Sequence, residues 1–161
     1  MGIVSTQLDD VQRAVAVDVA VALGVDDWTA LRAQLMAAEN NKVWLSPPLL
    51  SVAAGLLTII TSSANTRPWS FTDDLWDRYL PEEKPQGRSE WRKASFAVQA
   101  AGCLAAGIWL DVGVTESFWR APFWPDILLV VDLLRRLALD LTDQTEPELA
   151  DRVLEVLALQ R

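Results

Sequence analysis

The run Ser46-Pro47-Pro48-Leu49-Leu50-Ser51-Val52-Ala53-Ala54-Gly55-Leu56-Leu57-Thr58-Ile59-Ile60-Thr61-Ser62-Ser63 decides the fold of this chain. Ser46 is a helix-capping residue type. Pro47 suits a first helical turn, where its missing N–H would have no intrahelical partner. The side chains that follow, Leu49, Leu50, Val52, Leu56, Leu57, Ile59 and Ile60, leave no polar face. A helix that is hydrophobic all round lies at the centre of a core or in a membrane. No charged residue occurs from Val43 to Thr66, and a spanning helix needs about 20 apolar residues. The Ser-Pro-Pro start and the polar end at Thr61, Ser62, Ser63 and Asn65 shorten the apolar part below that length. The reading is therefore a buried rod over 47–63.

Helical periodicity continues on both sides of this rod, and strand alternation is nowhere sustained. On the N-terminal side a helix is predicted from about Ser5 to Leu23. Leu8, Val11, Val15, Val19 and Ala22 share its inner face, Val17 and Val21 widen the apolar surface, and Gly24 ends it. Asp26 or Asp27 is expected to cap a second helix through about Glu39, with Trp28, Leu31, Leu35 and Ala38 as its stripe and Asn40-Asn41 as the breaker.

On the C-terminal side, Asn65-Thr66-Arg67-Pro68 reads as a turn. Thr72 caps a short helix, Asp73 to Leu80, and Pro81–Ser89 is a surface loop. Ser89 caps a helix to about Val112, whose Ala101, Gly102, Ala105, Ala106 and Gly107 suit close helix approach. An aromatic, proline-bounded connector, Ser117–Pro125, follows. Pro125 opens a long helix to about Leu141, with Asp132, Arg135, Arg136 and Asp140 as a narrow polar stripe able to pair at i, i+4 spacing. Thr145-Glu146-Pro147-Glu148 starts the last helix, with Leu149, Val153, Leu154 and Leu157 turned inward.

The chain has 161 residues, 51% hydrophobic and 22% charged. That suits one domain with a sizeable core and is not the composition of a disordered chain. The expectation is a single all-α domain over 1–161. It has six to seven helices around the central apolar one, bundle-like or orthogonal, with 90–112 and 125–141 packed on the rod.

Composition also removes chemistry. There is no histidine, so Ser-His-Asp hydrolysis, Cys-His catalysis and His-ligated zinc are excluded. The single cysteine, Cys103, allows no intrachain disulfide or Cys-rich metal site. No phosphate loop or dinucleotide fingerprint occurs. No catalytic residue and no cofactor is assigned. Net charge is −8, which argues against nucleic acid and against anionic lipid. Acids cluster at the two ends of the chain, while 41–110 is nearly balanced. Residues 1–6 lack a secretory pattern, and a cytoplasmic location is expected. Arg outnumbers Lys 11 to 3 in an Ala-Val-rich chain, which has a bacterial look.

Three readings of function remain. The first is a non-enzymatic protein–protein interaction module: a small acidic helical subunit, adaptor or immunity-type inhibitor. It takes another protein as partner and leaves a homo-oligomer open. Eight tryptophans in this length point that way, since Trp dominates interface hot spots. Phe118, Trp119, Arg120, Phe123, Trp124, Trp44 and Trp69, all in connectors, are the candidate partner-contact residues. The second is a magnesium-dependent diphosphate or isoprenoid-binding enzyme. Its basis is Asp73-Asp74-Leu75-Trp76-Asp77, which matches the Asp-Asp-x-x-Asp pattern of all-α terpene synthases and prenyltransferases over five residues only; Asp73, Asp74 and Asp77 are its metal candidates. Helix capping by Thr72, with Asp73 and Asp74 at the positive end of the dipole, accounts for the same residues. The third is an apolar-ligand binder or a two-span membrane hairpin built on 47–63 and 94–110. The basic cluster Lys84, Arg88, Arg92 and Lys93 around Trp91 reads as a solvated loop.

Overall fold

In the computed structural model the described residues are 8–25, 28–64 and 124–159. They form five helices and, among themselves, no strand: α1 (Asp10–Ala22), α2 (Thr29–Asn40), α3 (Ser46–Ala64), α4 (Trp124–Leu141) and α5 (Glu146–Leu159). The helices expected at Asp73–Leu80 and from Ser89 to about Val112 lie outside the described residues.

α3 is the enclosed rod that its composition demands. Leu49, Leu50, Val52, Leu56, Leu57 and Ile60 are fully buried, and so are Ala53 and Ala54 between them. Full burial of one such Leu or Ile contributes about 1.5–3 kcal/mol, so this helix dominates the core. It packs most extensively on α4, and also on α1 and α5. The Ser51 hydroxyl, buried at mid-helix, would be costly in such surroundings if left unpaired. This hydroxyl and those of Thr58 and Ser62 fold back on the helix instead. Ser51 Oγ donates to the Pro47 carbonyl at 2.9 Å, Thr58 Oγ1 to Ala54 at 2.9 Å, and Ser62 Oγ to Thr58 at 2.8 Å. No helix among the described residues is long and apolar enough to cross a membrane.

α1 begins later than its periodicity suggests. Asp9 is the N-cap, and it forms a reciprocal capping box with Gln12. The Gln12 N–H donates to Asp9 Oδ1 at 2.7 Å, and the Asp9 N–H donates to Gln12 Oε1 at 3.2 Å. Leu8 and Asp9 therefore precede the helix. Val11 does not face inward as expected; it is exposed, and the inner face is Ala16, Val19 and Ala20 with Leu23 just beyond the helix end. Gly24 follows the C-cap Leu23, where the helix ends as expected, but its own φ lies outside the left-handed region. The glycine sits where α5 comes close, and a Cβ there would meet Ala150 Cβ at 3.4 Å.

α2 also departs from expectation. Trp28, not Asp26 or Asp27, occupies the N-cap, and its side chain makes no capping hydrogen bond. Packing of the indole on the core outweighs the missing cap; Asp26 and Asp27 are outside the described residues. At the other end Asn40 is still helical and Asn41 is the C-cap. The chain turns at Lys42, which holds a positive φ of 62°. The Val43 N–H donates to the Ala38 carbonyl at 3.0 Å and the Lys42 N–H to Glu39 at 2.9 Å. That pair is a Schellman motif with lysine in the place usually held by glycine.

α4 and α5 follow the sequence reading closely. Ile127, Leu128, Val131 and Leu134 of α4 are fully buried against α3 and its neighbours. Thr145 caps α5: Thr145 Oγ1 donates to Glu148 Oε1 at 2.8 Å, and the Glu148 N–H points back at Thr145 Oγ1 at 3.4 Å. Leu149 and Val153 are buried, while Leu154 and Leu157 are half-buried against the core.

Candidate functional site

Two of the seven candidate contact residues, Trp44 and Trp124, fall in the described part, and both lie at the C-terminal end of α2. Trp124 is half-buried at the first position of α4. Its indole Nε1 donates to Glu39 Oε2 at 2.6 Å, which fixes the start of α4 to the last turn of α2. Trp44 follows the Schellman turn by two residues. Its backbone carbonyl accepts from Gln12 Nε2 at 3.4 Å, so the same Gln12 that completes the α1 cap also anchors this connector. The Trp44 side chain stands 44% exposed. Burial of the neighbours on both sides, Val43 partly and Leu45 almost fully, explains how the backbone is held while the indole faces outward.

Met36, one turn before Glu39 on α2, is 57% exposed. Sequence reading missed it. The signal was present: Leu31, Leu35 and Ala38 define the inner stripe of α2, and Met36 falls off it. Along the chain, exposed Met36 and Trp44 stand on either side of Glu39, the residue that holds Trp124.

The second polar feature is Arg135, expected on the narrow polar stripe of α4. It is buried instead. Arg135 Nε donates to the Leu23 carbonyl at 2.9 Å. Nη2 lies 3.1 Å from Glu146 Oε2, in ion-pair contact without the alignment of a hydrogen bond. Nη1 is 3.7 Å from Asp132. Arg136 takes the outer position and pairs with Asp132 at 3.0 Å, as the i, i+4 spacing predicts. Arg135 thus meets the carbonyl end of α1 and a carboxylate in the first turn of α5. The cation complements the negative end of the α1 dipole, whereas at the positive end of α5 it is the Glu146 carboxylate that suits the dipole and neutralises the guanidinium. The contacts of Arg135 fasten α4 to α1 and α5, with Asp132 shared between Arg135 and Arg136.

Phe118, Trp119, Arg120, Phe123 and Trp69 lie outside the described residues. So do Asp73, Asp74 and Asp77, the basic cluster and Cys103. Among the described residues no three carboxylate or cysteine side chains are grouped to hold a metal ion. Compared with protein-family models, with curated proteins and with solved structures, the chain finds no match.

Proposed function

We propose that this chain is a non-enzymatic protein–protein interaction module, an acidic helical subunit, adaptor or inhibitor. The observation that carries the reading is Trp44. A large indole is left 44% exposed on a backbone held by its neighbours and by Gln12. Indoles of this kind supply contact area at little entropic cost and are enriched at the energetic centres of interfaces. Exposed Met36 adds an adaptable apolar side chain on the adjoining helix. Trp124, tied to Glu39, contributes a rigid edge. The net charge of −8 favours a partner with a basic rim.

The test is recovery of the tagged full chain from its native cells under mild conditions, beside a Trp44→Ser variant. A protein partner in stoichiometric amount with the first, and lost with the second, supports the reading. A chain that emerges alone, or a partner that Trp44→Ser leaves in place, counts against it.

A further inference from the structure

α2 differs from its neighbours in how its ends are held. α1 opens with the Asp9–Gln12 capping box and an acid, Asp10, in its first turn, and Arg135 closes its far end. α5 opens with the Thr145–Glu148 pair and with Glu146 in its first turn. α2 has no side-chain cap, no acid in its first turn and no base in its last. Glu39 stands in that last turn instead, where a carboxylate is unfavourable at the negative end of the helix dipole. The turn beyond it runs through Lys42 at a positive φ, a strained conformation for a residue with a Cβ. Of the twelve residues of α2 only Leu31 and Leu35 are buried, with Ala38 partly buried beside them. A helix of this length is marginal in water without packing. Against these weaknesses stands the 2.6 Å bond from the Trp124 indole to the Glu39 carboxylate.

We propose that α2 is a strap, hinged at Lys42 and latched by the Trp124–Glu39 bond, that opens as a unit while α1, α3, α4 and α5 stay folded. In the closed state the indole N–H offsets the unfavourable charge of Glu39 and ties the last turn of α2 to the start of α4. Once that bond breaks, the carboxylate faces the carbonyl end of its own helix without a donor beside it. Lys42 can then leave the left-handed region and shed its strain. Loss of the latch thus removes a restraint and promotes unwinding at the same end of the helix. That disfavours a form of α2 that is unlatched yet still helical. Opening exposes Leu31 and Leu35 to water and carries Met36, on the same helix, with it. The inference does not rest on the partner proposed above.

Native-state hydrogen exchange of the full chain across low urea concentrations tests it. The amides of residues 33–40 should share one opening equilibrium. That opening should be populated at least about tenfold more than the one that exposes the buried turns of α1 and α5. Trp124→Phe keeps an aromatic ring and removes the donor, and it should raise the α2 opening about fivefold. In a Glu39→Met background, which already lacks the acceptor, the same change should have little effect. Lys42→Gly should lower the opening by up to about fivefold. An unchanged helical circular-dichroism signal checks that each variant is folded. Amides of α2 that exchange only with global unfolding overturn the proposal, and so do amides that exchange one by one without a shared value. A Trp124→Phe effect of equal size with and without the Glu39 carboxylate assigns it to packing and overturns the latch.

Discussion

Arg135 Nε donates a 2.9 Å hydrogen bond to the Leu23 carbonyl, so a buried guanidinium on α4 closes the carbonyl end of α1. The last carbonyls of a helix have no partner within it. Here one of them is satisfied by a charged donor from a different helix, while the same side chain reaches Glu146 at the start of α5. Arg135→Ala would leave that carbonyl unpaired inside the body and open a void. The expected cost is about 2–3 kcal/mol in urea unfolding. Glu146→Gln, at a far more exposed position, should cost no more than about 1 kcal/mol. Equal losses from the two would contradict the hydrogen bond as the dominant contact.

Lys42 tests the turn between α2 and α3. A non-glycine residue at positive φ is strained by about 1 kcal/mol. Lys42→Gly should therefore raise stability by up to about 1 kcal/mol, and Lys42→Val should lower it. Thermal unfolding of the pair reads the sign directly.

Gly55 lies in the middle of α3, and an added methyl there would meet Val153 Cγ1 at 3.6 Å and Val156 Cγ1 at 3.7 Å, ordinary contact distances. Gly55→Ala should stabilise the protein by about 0.5–1 kcal/mol through helix propensity. Gly55→Leu should destabilise it, because the seam between α3 and α5 has no room for a branched side chain of that size. The two midpoints in urea check both directions.

The helix caps give a fourth comparison. Asp9→Ala and Thr145→Ala each remove a capping-box partner and should each cost about 1 kcal/mol. The two boxes lie on different helices, so the double variant should show additive losses.

Trp44→Ser and Met36→Ser should leave the unfolding midpoint nearly unchanged, because both side chains face outward. Each should weaken partner binding about tenfold or more if it lies at an energetic centre. A large stability loss without a binding loss would place them among the packing residues instead.

Much of the architecture was legible in residue pattern. Pro47 through Ile60 has no polar face, and a helix of that kind has only one place in a body bathed in water. Thr145 and Glu148 announced the start of α5, and Asp132 and Arg136 announced their pair by spacing. The misreadings share one cause: local rules ignore what other helices bring. Asp26 and Asp27 are good caps by type, but burial of Trp28 determined where α2 begins. Gly24 looked like a left-handed terminator, yet α5 determined its neighbourhood. Arg135 belonged by periodicity to a polar stripe. Only the approach of Leu23 and Glu146 makes a buried arginine affordable there, and neither is near it in sequence. The candidate site was legible only in part. Trp44 was picked out by its place in a connector, whereas the exposure of Met36 depends on how α2 is rotated on the core.

The claim beneath all of this is that α3 is enclosed by helices of its own chain in plain aqueous buffer. Hydrogen exchange of the full chain, read residue by residue without detergent, tests it most directly. Amides from Val52 to Ile60 should be the slowest in the protein and should exchange only with global unfolding. Exchange there as fast as on the exposed turns of α1 and α2, or protection that appears only once detergent is added, would contradict it.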